Sequence, residues 1–247
     1  MTGCRRRRRL DRLRRQRDRA LAQERNKSRL LAMVAHDLRQ PLQSMTLFLD
    51  ALGILDQRQR PALARLGGCL ADMRGLIDSL TDLAGLEAGK VTAALQEVDL
   101  FEMMEMLAAC YAPMAAAKGL AWAMLPVCRV LRVRTDPALL IRILRNLMEN
   151  AIRYTEAGIV SLRCVAGADG LLDLQVIDSG PGIPDHQLGH IFEEYHQLPV
   201  SGPEPRAGMG LGLAIVLRLS NLLGHKLHVA SAPGLGSQFS VAVPLVY

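Results

Sequence analysis

Apolar residues at heptad spacing predict two long helices in the first third of the chain. Within each helix the apolar positions step by alternating intervals of three and four residues, which places them along one seam. The seam positions are Leu31, Ala35, Leu38, Leu42, Met45, Leu49 and Leu52 in the first helix, and Leu63, Leu66, Leu70, Met73, Ile77, Leu80 and Ala84 in the second. Gly53 and the polar residues after it end the first helix, and Pro61 suits the first turn of the next one.

The short loop between these helices predicts an antiparallel hairpin. A lone two-helix hairpin buries only one side of each helix. Pairing with a second copy closes a four-helix bundle, so the pattern predicts a homodimer.

After Lys90 the hydrophobic pattern mixes helices with strands. It predicts helices over about 99–117, 137–153, 186–194 and 210–223, and strands near 128–134, 159–165, 171–178, 226–231 and 237–244. Asp136 is the expected N-cap of the helix predicted over 137–153, and Pro137 is the expected first residue of that helix. Apart from the short helix, residues 183–209 predict a long loop, a feature that is usually functional or disordered. The succession predicts an α/β sandwich with its sheet covered on one face, and with the hairpin the fold class is α+β.

The composition is that of an ordinary globular chain. Of 247 residues, 50% are apolar and 22% are charged, and no apolar run reaches the 18 or so residues that span a bilayer. The basic start is not followed by an apolar segment, so a signal peptide is not expected. The five cysteines are scattered without metal-ligand spacing, which favours reduced thiols and a cytoplasmic location over a disulfide or zinc framework.

The net charge of +6 is concentrated at the N-terminus. Residues 1–29 contain 12 arginines and one lysine against three acids, so the remainder is mildly acidic. Such a run is usually a solvated or frayed helix. It also suits weak contact with an anionic membrane or with nucleic acid, or a continuation of the first helix toward an upstream input.

Two glycine-rich turns flank the long loop and suggest a phosphate-binding site. Residues 178–182 read DSGPG after an apolar strand, and residues 208–212 read GMGLG directly before a helix. Glycines let the backbone approach a ligand closely, and a helix N-terminus beyond them offers free N–H groups to phosphate. Either motif alone is commonly just a tight turn, and the order matches neither a P-loop nor a Rossmann fingerprint.

Two asparagines share one face of the helix predicted over 137–153. Asn146 and Asn150 are four residues apart with Arg153 beside them, whereas the apolar residues face elsewhere. Two amides and a guanidinium could hold hydrated Mg²⁺ and phosphates, because Mg²⁺ keeps several waters and needs few protein oxygens. The alternative is an ordinary polar outer face.

A histidine and an acid lie together on the first seamed helix. His36 neighbours the seam position Ala35 and is therefore expected on the solvent-accessible flank. Pro41 cannot donate a backbone hydrogen bond to the carbonyl of Asp37, so the helix should bend just past His36. A lone surface histidine usually has no function, but His36 is followed directly by an acid and precedes the expected proline kink.

In combination, these motifs resemble the transmitter core of bacterial sensor histidine kinases of two-component signalling. The phospho-acceptor pattern of that family, a His, an acid and then LR-x-PL, is matched by residues 36–42. The other family motifs follow in order: the N box NLxxNAxxYT at 146–155, D-x-G-x-G-I at 178–183, a Phe-containing box at 191–193, G-x-G-L-G-L at 208–213 and a G-x-G-S-x-F turn at 234–239. Order and spacing agree over about residues 25–245.

The resemblance implies three segments and a set of ligands. Residues 1–24 would be a basic tail, 25–90 the dimerisation and histidine-phosphotransfer hairpin, and 91–247 a Bergerat-type ATP-binding domain. ATP and Mg²⁺ are the implied cofactors, and a response-regulator receiver domain is the implied partner besides the second copy.

The resemblance also assigns roles to residues around the nucleotide. Asp178 would accept a hydrogen bond from the adenine amino group, and Tyr154 would pack near the adenine. Asn150 would coordinate Mg²⁺, with Asn146 close to the metal or the phosphates. Arg153 would contact phosphate.

The long loop would be the ATP lid. It would span residues 183–209, with Phe192 as its anchor and Arg206 as a weaker phosphate candidate. The motif residues that would shape the pocket are Gly180, Gly182, Ile183, Gly208, Gly210, Leu211 and Gly212.

The implied activity is autophosphorylation on His36 followed by phosphotransfer to a response-regulator aspartate. One nitrogen of the neutral imidazole would attack the γ-phosphorus, while Asp37 takes or holds the proton on the other nitrogen. Gln40 stands where many relatives have Thr or Asn, which leaves phosphatase activity open. Two other classes remain: a different Bergerat-type enzyme, either an ATPase or a protein serine kinase, and a non-catalytic scaffold that uses the basic tail.

Overall fold

The chain separates into two compact units, Met1–Val91 and Thr92–Tyr247. The computed structural model describes residues 60–125, 131–167, 170–198 and 210–246, together with Leu38, Leu42, Gln43 and Met45. Each unit has its own apolar core. The finer division of the first unit into a tail and a hairpin stays a prediction.

Helix α1 of the first unit spans Arg60–Glu87, as the second seam predicts. Pro61 lies in its first turn, where the missing N–H would have no helical partner in any case. Gly89 follows its end in the left-handed region, with a φ of 63°.

The two predicted seams meet in a small apolar cluster of the first unit. Leu42, from the first predicted helix, is buried with Ile77 of α1, and Leu70 and Leu80 pack against this pair. Leu38, Leu42, Gln43 and Met45 are helical, and the rest of the predicted first helix lies outside the described residues.

A seven-stranded mixed sheet forms the base of the second unit. Its strands are β1 (Gln96–Asp99), β2 (Ala121–Met124), β3 (Arg132–Thr135), β4 (Ile159–Ala166), β5 (Leu171–Asp178), β6 (Lys226–Ala232) and β7 (Gly236–Val246). The order is β1-β3-β7-β5-β4-β2, and β6 also pairs with β7. Among the strands that the structure describes, only β2 and β4 pair in parallel. The long strand β7 thus joins three neighbours.

Three helices pack on this sheet: α2 (Leu100–Ala117), α3 (Pro137–Tyr154) and α4 (Gly212–Leu223). Asp136 caps α3, as predicted, because its carboxylate accepts a hydrogen bond from the N–H of Leu139 at 3.1 Å. Helix α3 buries its apolar face, and its polar residues are not among the buried ones. The predicted α+β class is confirmed. Within the described ranges, no helix is long and apolar enough to cross a membrane.

Several predicted elements differ from the structure. The sequence prediction lacks β1 and β2, which are four residues long and depend on strand neighbours distant in sequence. The strand predicted near 128–134 is described only as β3, from Arg132. The helix predicted over 186–194 is wrong: a 3₁₀ turn at Asp185–Gln187 and further turns take its place. Gly189 disfavours a helix there, and Tyr195 has a left-handed backbone with a φ of 61°.

A buried histidine links β3 to the segment after α4. His225 is 4% exposed, and its Nε2 lies 2.8 Å from the Oγ1 of Thr135. Its Nδ1 has no hydrogen-bond partner among the described residues. Burial lowers the pKa of His225 to about 4, because the charged imidazolium is poorly solvated in the core. The ring is therefore neutral in the folded unit at pH 7.

Mild acid is expected to destabilise the second unit through His225. Its folded-state pKa lies below the ordinary 6.5, so the unfolded chain binds the proton first and stability is lost as the pH falls from about 6.5 toward 4. Between pH 7 and pH 5 this loss is about 2 kcal/mol in the free energy of unfolding by urea. His225→Asn should reduce the pH dependence, whereas His228→Asn, on the exposed side of β6, should retain it. Equal pH slopes in wild type and His225→Asn would contradict this account.

Candidate functional site

Asp178 is a buried carboxylate at the end of β5. It is 9% exposed, and the backbone N–H of Gly180 donates to its Oδ1 at 2.8 Å. Burial raises the pKa of Asp178 above its usual value, and hydrogen bonds from Gly180 and from the backbone and hydroxyl of Ser237 partly oppose this. The carboxylate is thus held in a fixed orientation as an acceptor.

An unpartnered hydroxyl lies beside this carboxylate. Thr155 is completely buried, and its Oγ1 has no hydrogen-bond partner within the described part of the chain. A Cβ added to Gly180 would lie 3.3 Å from that Oγ1 and 2.7 Å from Asp178 Oδ1, so a side chain here would crowd both groups. Buried polar atoms are rarely left without a partner. The pair therefore fits a polar ligand such as a base edge.

The two asparagines of α3 meet the beginning of α4. A Cβ added to Gly212 would lie 3.1 Å from Asn146 Oδ1 and 3.6 Å from Asn150 Nδ2. The Nδ2 of Asn146 donates to the carbonyl of Arg142 at 2.9 Å, which leaves its Oδ1 directed at Gly212. Amide oxygens beside helical N–H groups suit Mg²⁺ and phosphate oxygens. These residues fit a metal–nucleotide phosphate group.

The end of α3 is fixed by a lysine from the turn after α2. Lys118 Nζ donates to the carbonyl oxygens of Ile152 and Arg153 at 2.6 and 2.7 Å. These contacts satisfy carbonyls of the last helical turn. Lys118 therefore holds in place the residues that lead into Tyr154 and Thr155.

The loop after β5 packs tightly on the β6–β7 hairpin. Gly182 has a φ of 70°, and a Cβ there would overlap the carbonyl of Ala232. Both the left-handed backbone and the close approach require glycine. The next residue, Ile183, is buried at 7% exposure.

The middle of the predicted lid segment is attached to α4. Glu194 forms an ion pair with Arg218 of α4. A Cβ on Gly210 would lie 2.5 Å from the carbonyl oxygen of His196, so the backbone just after the predicted lid approaches the backbone in the middle of it. Phe192 is half-buried, next to the buried Ile191.

Breaking the Glu194–Arg218 ion pair is expected to destabilise the second unit modestly. The two side chains are 26% and 34% exposed, so solvent screens the pair only in part. A double-mutant cycle with Glu194→Gln and Arg218→Gln, measured as the free energy of unfolding in urea, should give a coupling energy of about 1 kcal/mol. Glu193→Gln, which removes the more exposed pair with His190, is the control and should leave the free energy of unfolding unchanged. A zero coupling energy would refute the attachment of this segment to α4.

The structure brings some of the predicted site residues together and leaves others untested. Asn146, Asn150 and Gly212 form one group, and Asp178 forms a second with Gly180. Leu211 is buried at the start of α4, Tyr154 is half-buried and Arg153 is exposed. His36, Asp37, Arg206 and Gly208 lie outside the described residues.

Two residues of the Asp178 group have no assigned role in the sequence interpretation. Thr155 ends the N-box motif and Ser237 lies in the G-x-G-S-x-F turn. Membership of these motifs is the only sign in the sequence that the two residues belong to the site. Their proximity to Asp178 depends on strand pairing, since Asp178 is the register partner of Ser237.

Two family descriptions match the chain in succession. The His Kinase A (phospho-acceptor) domain matches residues 26–89. The histidine kinase-, DNA gyrase B-, and HSP90-like ATPase matches residues 135–247. The second match contains both residue groups of the candidate site.

Two of the curated relatives are named as histidine kinases. The circadian input-output histidine kinase CikA of Synechococcus elongatus is 36% identical over 238 residues, which cover 91% of this chain and 31% of CikA. The sensor histidine kinase RcsC of Escherichia coli is 30% identical over 226 residues, which cover 89% of this chain and 23% of RcsC. The chain thus spans less than a third of the length of these relatives.

Solved structures show the same fold. Full-length ShkA in complex with AMPPNP superposes with a TM-score of 0.68 at 31% identity, over 87% of this chain and 45% of ShkA. The histidine kinase AdeS of Acinetobacter baumannii superposes with a TM-score of 0.58 at 20% identity, over 85% of this chain and 97% of AdeS.

Proposed function

This chain belongs to the histidine kinases, of which it carries the phospho-acceptor and ATP-binding domains, and on that premise we propose that it transfers the γ-phosphate of ATP to its own His36. The observation that carries the proposal is the polar group of Asp178, Gly180 and Thr155 together with the asparagine group at Gly212, the two being linked by α3, which carries the asparagines and ends at Thr155. One suits an adenine edge and the other suits phosphates.

The adenine is recognised by Asp178. Its carboxylate accepts a hydrogen bond from the exocyclic amino group, and the hydroxyl of Thr155, for which the described residues offer no partner, completes the polar edge. Tyr154 packs near the base. Guanine carries a carbonyl oxygen in place of the amino group, which the carboxylate repels.

The phosphates lie at the beginning of α4. Asn146 and Asn150 supply amide oxygens for Mg²⁺, which offsets the negative charge of the phosphates when bound. Arg153, and Arg206 in the lid, supply positive charge. The glycines at 208, 210 and 212 leave backbone N–H groups accessible to phosphate oxygens.

His36 is the nucleophile of the transfer. A neutral ring nitrogen attacks the γ-phosphorus in line, so an N–P bond forms while the bond from phosphorus to the β–γ bridging oxygen breaks and ADP leaves. Asp37 holds the proton on the other ring nitrogen and keeps the attacking one unprotonated. The phosphoramidate product then passes its phosphoryl group to the aspartate of a response-regulator receiver domain.

The protein is proposed to act as a homodimer. Leu66 and Met73 lie on the seam of α1 but are 54% and 47% exposed in the single chain. A second copy that completes a four-helix bundle would cover them. Because the reaction uses ATP and a response regulator, we assign it to the cytoplasm.

The Arg-rich residues 1–24 are proposed to contact an anionic surface weakly. Their positive charge supports attraction to acidic lipid or to nucleic acid phosphates. Deletion of residues 1–19 should reduce recovery with anionic liposomes or with DNA. Unchanged recovery of both would remove this role.

Incubation with γ-labelled ATP and Mg²⁺ tests the proposed function. The expected product is chain-bound label that is released in acid and stable in base, as a phosphohistidine is. Acid-stable label would instead indicate a serine kinase, and nucleotide hydrolysis without chain-bound label would indicate an ATPase.

Asp178→Asn is expected to lower ATP affinity about 50-fold, which corresponds to the loss of a hydrogen bond to a charged acceptor. Binding of a fluorescent ATP analogue, with competition by ATP, measures the change. Asp173→Asn is the matched control, because Asp173 lies on the same strand away from Gly180. Equal affinities for the two variants would remove Asp178 from the adenine site.

A further inference from the structure

The hydroxyl of Ser231 joins three segments next to the proposed adenine site. The backbone N–H of Ile183, at the start of the lid, donates to Ser231 Oγ at 2.8 Å. The Oγ lies 2.7 Å from the carbonyl oxygen of Gly236 and 3.1 Å from the Oγ of Ser237. One half-buried hydroxyl therefore connects the loop after β5 with both sides of the β6–β7 hairpin.

Strand register places Ser231 in a row with Asp178. Asp178 on β5 pairs with Ser237 on β7, and Ser237 pairs with Ser231 on β6. Residues paired across neighbouring strands project on the same face of a sheet. Ser231 is therefore in the row that contains the adenine-binding carboxylate, one strand beyond Ser237, the residue that contacts it.

The distances leave the proton of Ser231 two acceptors. Ser231 has one hydroxyl proton and donates it either to the carbonyl oxygen of Gly236, at the shorter distance, or to the Oγ of Ser237. When Ser237 is the acceptor, its own proton stays available to Asp178, to which Ser237 donates through its hydroxyl and its backbone, and Ser231 holds Ser237 directly. When Gly236 is the acceptor, Ser231 holds Ser237 through the backbone of the residue before it.

We propose that Ser231 is a positioning residue for nucleotide selection. It holds Ser237 and Ile183, the first residue of the lid, in the positions at which Asp178 prefers adenine nucleotides over guanine nucleotides. The inference rests on the proposed function, because it deepens the role of the Asp178 site. Without the hydroxyl, the N–H of Ile183 loses its acceptor, and the hairpin keeps only its other contacts with the loop after β5, such as the hydrogen bond from the N–H of Gly234 to the carbonyl of Pro181.

Substitution at constant shape isolates the hydroxyl. Ser231→Thr keeps the hydroxyl, and Ser231→Val replaces it with a methyl group. Threonine and valine have the same shape, and both residues suit a strand. Ser231→Ala is the smaller deletion. Ser240→Ala, on β7 outside the Asp178 row, is the matched control because Ser240 is also a hydrogen-bonded serine of this sheet and is buried more deeply than Ser231. Initial rates of autophosphorylation are measured against ATP and GTP concentration in the full chain.

The valine and alanine variants are expected to raise the KM for ATP about tenfold while kcat at saturating ATP stays within about twofold of wild type. The ratio of kcat/KM for ATP over GTP should fall by a similar factor. Ser231→Thr and Ser240→Ala should keep wild-type values. In the Asp178→Asn background, Ser231→Val should add little, since both changes act through the same group.

Three outcomes would overturn the proposal: an unchanged ATP-to-GTP ratio in folded Ser231→Val, equal losses in Ser231→Thr and Ser231→Val, or full additivity with Asp178→Asn. A wild-type chain that binds no ATP would instead overturn the proposed function. If Ser231→Ala alone fails to fold, the comparison of Ser231→Thr with Ser231→Val still tests the role of the hydroxyl.

Discussion

Replacing His36 with alanine is expected to abolish all acid-labile labelling of the chain by γ-labelled ATP. The imidazole is the proposed nucleophile, and alanine has no atom that can form a bond to phosphorus, so no residual rate should remain above background. Because the substitution lies in the first unit and the nucleotide groups lie in the second, ATP affinity should stay within about twofold of wild type.

The matched control is His228→Ala, because His228 is exposed on β6 and lies outside every proposed role. That variant should be labelled at the wild-type rate. Retained labelling of His36→Ala would contradict the assignment of the phospho-acceptor, whereas loss of label together with loss of ATP binding would point to a folding defect. Far-ultraviolet circular dichroism and light scattering, which report helix content and the dimer, separate these cases.

Helix α1, the second helix of the predicted hairpin, and the asparagine helix α3 could be predicted because their signals are local. Helix α1 has a continuous seam, and α3 begins with an Asp–Pro pair that supplies the cap and the first helical residue. The two asparagines are four residues apart on one helix, so the period of the helix alone places them together. The glycine motif before α4 likewise predicts the start of that helix within two residues.

The features that the sequence does not predict depend on pairing between distant segments. Strands β1 and β2 are too short to show a pattern, and each is stabilised by one neighbouring strand. The contacts of Ser237 and Ser231 with the Asp178 loop follow from the register of β5, β7 and β6, which no short-range rule determines. The hydroxyl of Thr155 lies in a recognisable motif, but only the folded structure leaves it without a partner among the described residues.

Asn150→Ala is expected to abolish autophosphorylation as well, with a loss in rate of about a thousandfold, the upper range for removing one contact to the transition state. The physical reason is the position of the amide. Asn150 lies with Asn146 against Gly212 at the beginning of α4, where helical N–H groups and a metal ion would neutralise phosphate charge. Asn146→Ala should cost less, because it leaves the proposed metal ligand Asn150 in place.

Titration with and without Mg²⁺ separates this role from adenine recognition. With Mg²⁺ removed by a chelator, wild type and Asn150→Ala should bind ATP equally, since the Asp178 group is unchanged, and the difference should emerge only as Mg²⁺ is added. Asn221→Ala, an exposed asparagine near the end of α4, should behave as wild type in both conditions. If Asn150→Ala bound ATP more weakly than wild type without Mg²⁺, the amide would be acting on the nucleotide itself and not through the metal. A normal rate of autophosphorylation in that variant would show that the asparagine group at Gly212 is not where the phosphates bind.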